Sequence, residues 1–97
     1  MTTAAEKRHL DRVARSGCAL CRHLGLGETP AEIHHHRFSE GMSQRASHFL
    51  AIGLCPEHHR GESGIHGLGV REFERRYKVS EPVLLAITLE SVVASAT

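Results

Sequence analysis

The sequence has little of the material that a large hydrophobic core needs. It contains no tryptophan, and aromatic residues make up 4% of its 97 residues. A chain of this length is expected to form a single domain over residues 1–97. Small domains with so few large apolar side chains usually depend on disulfides, a metal ion or a partner subunit for stability.

Also absent are a strong net charge, a membrane-spanning run and a secretory signal. With a formal net charge of +1, the chain cannot bind nucleic acid through bulk charge, and any such contact needs a local basic face. No apolar run approaches the roughly 20 residues of a membrane span. Residues 1–15 are charged and helix-like, which favours a cytoplasmic protein whose three cysteines are not paired as disulfides.

Histidine, in contrast, is abundant. The sequence has nine histidines, and seven of them lie between His34 and His66. An odd number of cysteines among so many histidines indicates a mixed Cys/His metal site.

Periodicity and turn residues predict both helices and strands. Helices are predicted over residues 4–15, 70–78 and 81–94. Residues 31–36 and 48–54 are predicted to be the strands of a hairpin, after a tight turn at 18–21, and Pro56 suits the first turn of a short helix. The side chains of the last helix that are expected to cover the core are Val83, Leu84, Ile87, Leu89 and Val92.

The most specific motif is Cys18-x2-Cys21, followed by Cys55-x2-His58. Tetrahedral zinc takes four thiolate or imidazole ligands, and the first pair places two thiolates on one turn. The second pair would complete the shell and contribute folding free energy. His59 adjoins His58, and helical geometry decides which of the two faces the zinc. The alternative is three buried free thiols, a common state of cysteine.

A second group of histidines flanks the predicted hairpin and helix. His34, His35 and His36 lie at the end of the first strand, and His59 and His66 follow the second. Because side chains alternate along a strand, His34 and His36 face one side and His35 the other. Strand-end and helix histidines could therefore meet at one metal ion and leave another histidine to act as a base. The alternative is a solvated histidine-rich run.

Together these motifs resemble the HNH (ββα-metal) nucleases, and more narrowly the phage recombination-enhancement (Ref-type) nucleases. The resemblance is carried by EIHHHR at residues 32–37, HFLAIGLCPEHHR at 48–60, GIHG at 64–67, Phe73 and Tyr77. It covers roughly residues 18–78. It implies an α+β fold in which a zinc-stabilised hairpin–helix core, residues 18–67, carries flanking helices.

The resemblance also implies a role for individual residues. His34, His59 and His66 would hold the catalytic metal ion, and His35 would be the general base that deprotonates the attacking water. The structural zinc would be held by Cys18, Cys21, Cys55 and His58. His36 falls where such families tolerate an apolar residue, so it is treated as a bystander.

One element of the family pattern is missing, because the sequence contains no asparagine to serve as its middle residue. His48, at the start of the returning strand, is the most plausible substitute. It could orient the base by donating a ring N–H to a backbone carbonyl. A purely structural role for His48 is the alternative.

The function implied is a metal-dependent endonuclease that hydrolyses phosphodiester bonds in DNA. Such hydrolysis needs a base for water and a cation for the charge that develops on phosphate, and an imidazole, with an ordinary pKa of about 6.5, accepts protons near neutrality. Nitrogen ligands suit Zn, Mn, Co or Ni better than Mg, although Mg activity stays open. The basic residues expected to hold DNA phosphates are Arg37, Arg45, Arg60 and Arg71.

The rival hypothesis is a zinc-stabilised module that binds nucleic acid or a recombinase filament without cleaving. Such a module needs the Cys/His site but has no use for four more clustered histidines. The resemblance implies a RecA-type recombinase filament as a partner, in the cytoplasm of a bacterial or phage-infected cell. The stretch before Cys18, however, mixes Glu6 and Asp11 with its basic residues, which argues against the basic arm of Ref-type proteins and against RecA dependence.

Overall fold

A computed structural model describes residues 2–36 and 47–95, which form an α+β domain with a two-stranded sheet. The elements in chain order are α1 (Ala4–Ser16), α2 (Ala19–His23), β1 (Glu32–His34), a 3-10 turn (His48–Leu50), β2 (Ile52–Leu54), α3 (Pro56–Arg60), α4 (Ile65–Leu68), α5 (Val70–Tyr77) and α6 (Glu81–Ser95). The strands pair antiparallel, with Ile33 opposite Gly53. The α+β prediction is confirmed. None of the helices described is long and apolar enough to cross a membrane.

The first helix, α1, ends just before Cys18, the first cysteine of the predicted metal site. It begins with a capping box, in which the Thr3 hydroxyl accepts from the Glu6 N–H and the Glu6 carboxylate accepts from the Thr3 N–H. This reciprocal pair satisfies two of the N–H groups that a helix start leaves open. α1 ends at Gly17, whose φ of +96° favours glycine, and the chain turns there directly into Cys18.

Residues 19–21 lie in α2, where the sequence predicted a tight turn. Cys18 is the N-cap of α2, and its sulfur accepts a hydrogen bond from the Cys21 N–H at 3.3 Å. The cap explains the difference, since it satisfies the N–H that a turn would leave open. Both cysteines are buried on the inner side of this short helix.

The hairpin strands are shorter than predicted. Residues 48–50 form a 3-10 turn because the Ser47 hydroxyl accepts from the Phe49 N–H at 3.1 Å, a local bond that competes with strand pairing. Residues 37–46, which connect the two strands, lie outside the described residues. Arg37 and Arg45, two of the predicted phosphate contacts, lie outside them as well.

The helix that follows the hairpin begins at Pro56, as predicted, and ends at Gly61. The chain then turns back and packs closely against α3 at Gly64. A Cβ placed on Gly64 would lie 2.5 Å from the carbonyl oxygen of Glu57 and 2.7 Å from the carbonyl carbon of His58. Only glycine allows this approach, which leads into α4 and places His66 beside α3.

The last helix buries only part of the face that was predicted, and Ile87 packs partly buried against the core as expected. Leu84 and Val92 are buried as expected, but Val83 is 46% exposed, and the remaining buried positions are Glu81 and Thr88. Apolar residues surround α6 on nearly every side, so periodicity could not select its inner face. Polar partners select it, because Thr88 Oγ1 accepts from the Gly53 N–H of β2 at 3.3 Å.

The buried core runs through the cysteines. One cluster of buried side chains contains Cys18, Cys21 and Cys55 together with Leu54 and Phe73. Phe73 also packs on Tyr77, four residues later, with ring centroids 4.9 Å apart. Because the three cysteines are part of this small core, a metal ion bound by them would contribute directly to the stability of the fold.

Candidate metal centres

Three cysteines and one histidine converge between α2, β2 and α3. The four ligand atoms of Cys18, Cys21, Cys55 and His58 lie within 4.8 Å of one another. The cysteines are at most 5% exposed. His58, and not its neighbour His59, faces the sulfurs, which answers the question that the sequence left open.

The distances in this Cys3His cluster fit a tetrahedral ion. His58 Nδ1 lies 3.7, 3.5 and 3.3 Å from the sulfurs of Cys18, Cys21 and Cys55, and the last two sulfurs are 3.8 Å apart. With Zn–S and Zn–N bonds of ordinary length, a tetrahedron has S–N edges of about 3.6 Å and S–S edges of about 3.8 Å. The cluster can therefore hold a metal ion such as zinc.

The chemistry of the buried thiols also favours a bound cation. Burial raises the pKa of the Cys18 thiol to about 12, so the thiolate does not form at neutral pH without a positive partner. Burial lowers the pKa of His58, which keeps this imidazole in the neutral form that binds metals. Tyr77 covers the His58 ring, with centroids 5.6 Å apart.

A second cluster joins the end of β1, the helix α3 and the helix α4. One nitrogen each from His34, His59 and His66 lies within 4.8 Å of the others, and the Nε2 atoms of His59 and His66 are 3.1 Å apart. In a tetrahedral zinc site two bound nitrogens lie about 3.3 Å apart. Burial, and then the neighbouring His59 and His34, lower the pKa of His66, which favours the neutral ligand form.

Sequence reasoning missed the carboxylate that orients His59. Glu32 Oε1 lies 2.9 Å from His59 Nδ1, and the same carboxylate accepts three hydrogen bonds from the Arg60 guanidinium at 2.8–3.0 Å. These bonds, first from Arg60 and then from His59, lower the pKa of Glu32 to about 2. Since strand residues two apart share a face, Glu32 could have been found from its spacing to His34.

The predicted base lies beside its predicted helper. His35 is exposed, whereas His34 and His36 are buried, as strand alternation predicts. His35 Nε2 lies 2.9 Å from His48 Nδ1, with ring centroids 5.0 Å apart. His48 therefore reaches the ring of His35 itself, whereas the sequence predicted a bond to a backbone carbonyl. His36 belongs to neither metal cluster found among the described residues.

One comparison with known proteins decides the family. A sequence model described as "Recombination enhancement, RecA-dependent nuclease" matches residues 2–93, nearly the whole chain. The chain belongs to this family. The resemblance to recombination-enhancement nucleases is thereby confirmed. No curated protein and no solved structure matches the chain.

Membership in this family of RecA-dependent nucleases identifies the kind of partner that the protein has. A nuclease that acts in recombination has DNA as its partner, and the family name carries a dependence on RecA, contrary to what the leader before Cys18 suggested. Of the described arginines that the sequence assigned to DNA, Arg71 is exposed on α5 and Arg60 is paired with Glu32. Phosphate binding by Arg60 would compete with that pair and stays a prediction.

Proposed function

We propose that this recombination-enhancement nuclease is a metal-dependent endonuclease of the HNH (ββα-metal) type, which hydrolyses phosphodiester bonds in DNA by attack of water. The observation that carries the proposal is the convergence of His34, His59 and His66. His35, which follows His34 in the chain, is exposed and contacts the half-buried His48. A hairpin, β1 and β2, followed at once by α3 supplies His34 and His59, and α4 supplies His66. A binding module would need none of them.

The two clusters would have different roles, one structural and one catalytic. The Cys3His cluster, buried in the core, would hold a structural zinc ion. The three histidines of the second cluster offer nitrogen ligands, which suit zinc, manganese, cobalt or nickel better than magnesium. A divalent ion bound there would offset the negative charge that develops on the phosphate and the leaving oxygen.

The pair of histidines defines how the base works. To accept a proton from water, His35 must carry its own ring hydrogen on Nε2 and its lone pair on Nδ1. The 2.9 Å contact then has His35 Nε2–H donating to His48 Nδ1, so His48 fixes this tautomer. When His35 takes the proton, the same bond strengthens, because its donor is then charged.

Replacement of the base tests the proposal. His35→Ala is expected to lower the rate of supercoiled plasmid nicking by about 100- to 10,000-fold, the usual contribution of a general base. The assay uses protein whose zinc is retained, supplied in turn with Mg, Mn, Co, Ni or Zn ions. His23→Ala is the matched control, because His23 is exposed on α2 and belongs to neither cluster; it should nick like the wild type.

Two results would contradict the proposal. If wild-type protein binds DNA but does not nick it with any of these ions, with or without a RecA filament, the rival binding module is correct. If His35→Ala nicks at the wild-type rate, His35 is not the base.

A substitution at His48 separates its two alternatives. His48→Ala is expected to slow nicking by about 100-fold, since a misplaced reacting group costs roughly that much. His48→Asn should lose far less, because the amide oxygen can occupy the position of Nδ1 and accept from His35. Nicking rates and thermal melts of both variants check this. Equal rates for the two variants, with a lowered melting temperature, would assign His48 a structural role.

A further inference from the structure

A buried carboxylate lies against the second metal cluster without a role in the mechanism above. Glu81 begins α6, and its side chain is 5% exposed. Its Oε2 lies 2.7 Å from Nε2 of His34, whose side chain is 6% exposed. The two residues are 47 positions apart in the sequence, so no local pattern could have linked them.

The contact with Glu81 engages Nε2 of His34 and leaves Nδ1 as the nitrogen available to a metal ion. A carboxylate only accepts hydrogen bonds, so the His34 ring donates from Nε2, and in its neutral, metal-binding form it has its lone pair on Nδ1. Burial of a carboxylate is unfavourable unless such a bond compensates for lost water. The backbone of Glu81 is held as well, because its N–H donates to Glu74 Oε2 at 2.8 Å.

The same arrangement occurs at a second imidazole. Glu32 engages Nδ1 of His59, and the opposite nitrogen, Nε2, is the one that lies 3.1 Å from His66. In both histidines a carboxylate is hydrogen-bonded to one ring nitrogen and leaves the other nitrogen to bind a metal ion. Metal-binding histidines commonly donate their second N–H to a carboxylate, which orients the ring and makes it a stronger ligand.

We propose that Glu81 is a positioning residue of the second metal centre, which holds His34 so that Nδ1 is its metal-binding atom. The inference rests on the proposed function, since it assumes that the His34–His59–His66 cluster binds a divalent ion. It also gives a part in the site to α6, the last helix among the residues that the structure describes. Glu81 touches neither DNA nor water in this role and acts only through His34.

Cobalt affinity of the second centre provides the test. Protein with zinc retained in the Cys3His cluster is titrated with Co2+ by calorimetry and visible absorption. Glu81→Gln keeps an acceptor for His34 Nε2 but loses the charge, and is expected to bind Co2+ about 10-fold more weakly. Glu81→Ala loses both, and an approximately 100-fold loss is expected, within the range for such partners.

Two matched controls remove a purely structural explanation. Thr88→Val deletes two buried hydrogen bonds of another α6 side chain, one from the Gly53 N–H and one to the Leu84 carbonyl. It should lower the melting temperature with Co2+ affinity unchanged. Glu90→Gln removes an exposed carboxylate from the same helix and should change neither. If Glu81→Ala does not fold, Glu81→Gln alone decides.

The outcomes separate the inference from the function on which it rests. Nitrogen NMR of the metal-loaded protein should find the His34 hydrogen on Nε2. Wild-type Co2+ affinity in both Glu81 variants, or a His34 hydrogen on Nδ1, would overturn the role of Glu81 while leaving the metal centre intact. Wild-type Co2+ affinity in His34→Ala would instead remove the centre itself, and with it the proposed function.

Discussion

Cys18→Ser is expected to leave the protein unfolded at room temperature. Structural zinc contributes an apparent free energy of about 10–16 kcal/mol in small zinc domains, whereas an entire domain is usually stable by only about 5–15 kcal/mol. Here three of the buried side chains of the core cluster are the cysteines themselves. Without the ion, their thiols and the ring of His58 would be left facing one another, with little apolar surface to replace the lost bonds.

Serine is the informative replacement at this position. Cys18 is also the N-cap of α2, where its sulfur accepts from the Cys21 N–H. Serine is among the best N-cap residues, so Cys18→Ser preserves the cap and removes only the metal ligand. Loss of structure then reports on metal binding and not on the start of the helix.

Circular dichroism and zinc content measure the result. A strong chelator should unfold the wild type to the same spectrum as Cys18→Ser, and added zinc should refold the wild type but not the variant. A Cys18→Ser protein that stays folded and retains one tightly bound zinc per chain would show that the cluster does not stabilise the fold.

The Cys3His cluster could be predicted from the sequence because its information is local. Two pairs with the same two-residue spacing, Cys18-x2-Cys21 and Cys55-x2-His58, each lie on a single turn, and the folded chain has only to bring two turns together. Local sequence could not decide which of His58 and His59 faces the cysteines. The choice depends on the direction in which α3 faces, and this is set by the packing of α3 against β1, β2 and α4 and by the close approach of Gly64.

The partners of the second cluster were harder to predict. Glu32 lies two residues before His34 on the same strand, so strand alternation alone places it on that face. Glu81 is different, because its position depends on how α6 is rotated. The apolar residues around α6 gave no preferred face, and the expectation that Val83 would be inside was wrong. Buried polar side chains, paired with His34 and Gly53, decide the rotation.

The other large effect is expected from two neighbouring residues of α3, whose replacements should have opposite consequences. Successive side chains on a helix point about 100° apart, so His58 faces the cysteines while His59 faces His66. His58→Ala is expected to unfold the chain as Cys18→Ser does. His59→Ala should stay folded with zinc bound, because Arg60 still pairs with the carboxylate of Glu32.

His59→Ala should nevertheless lower the rate of plasmid nicking by at least about 100-fold. A catalytic ion contributes several kcal/mol of charge stabilisation to the transition state, and each 1.36 kcal/mol changes the rate by about a factor of ten. Melting curves, zinc content and plasmid nicking, measured on both variants, check the two halves together. A His59→Ala protein that nicks like the wild type would remove the second cluster from catalysis. A His58→Ala protein that keeps its zinc and its fold would mean that three thiolates suffice to hold the ion, and that the adjacent histidines do not serve two separate metals.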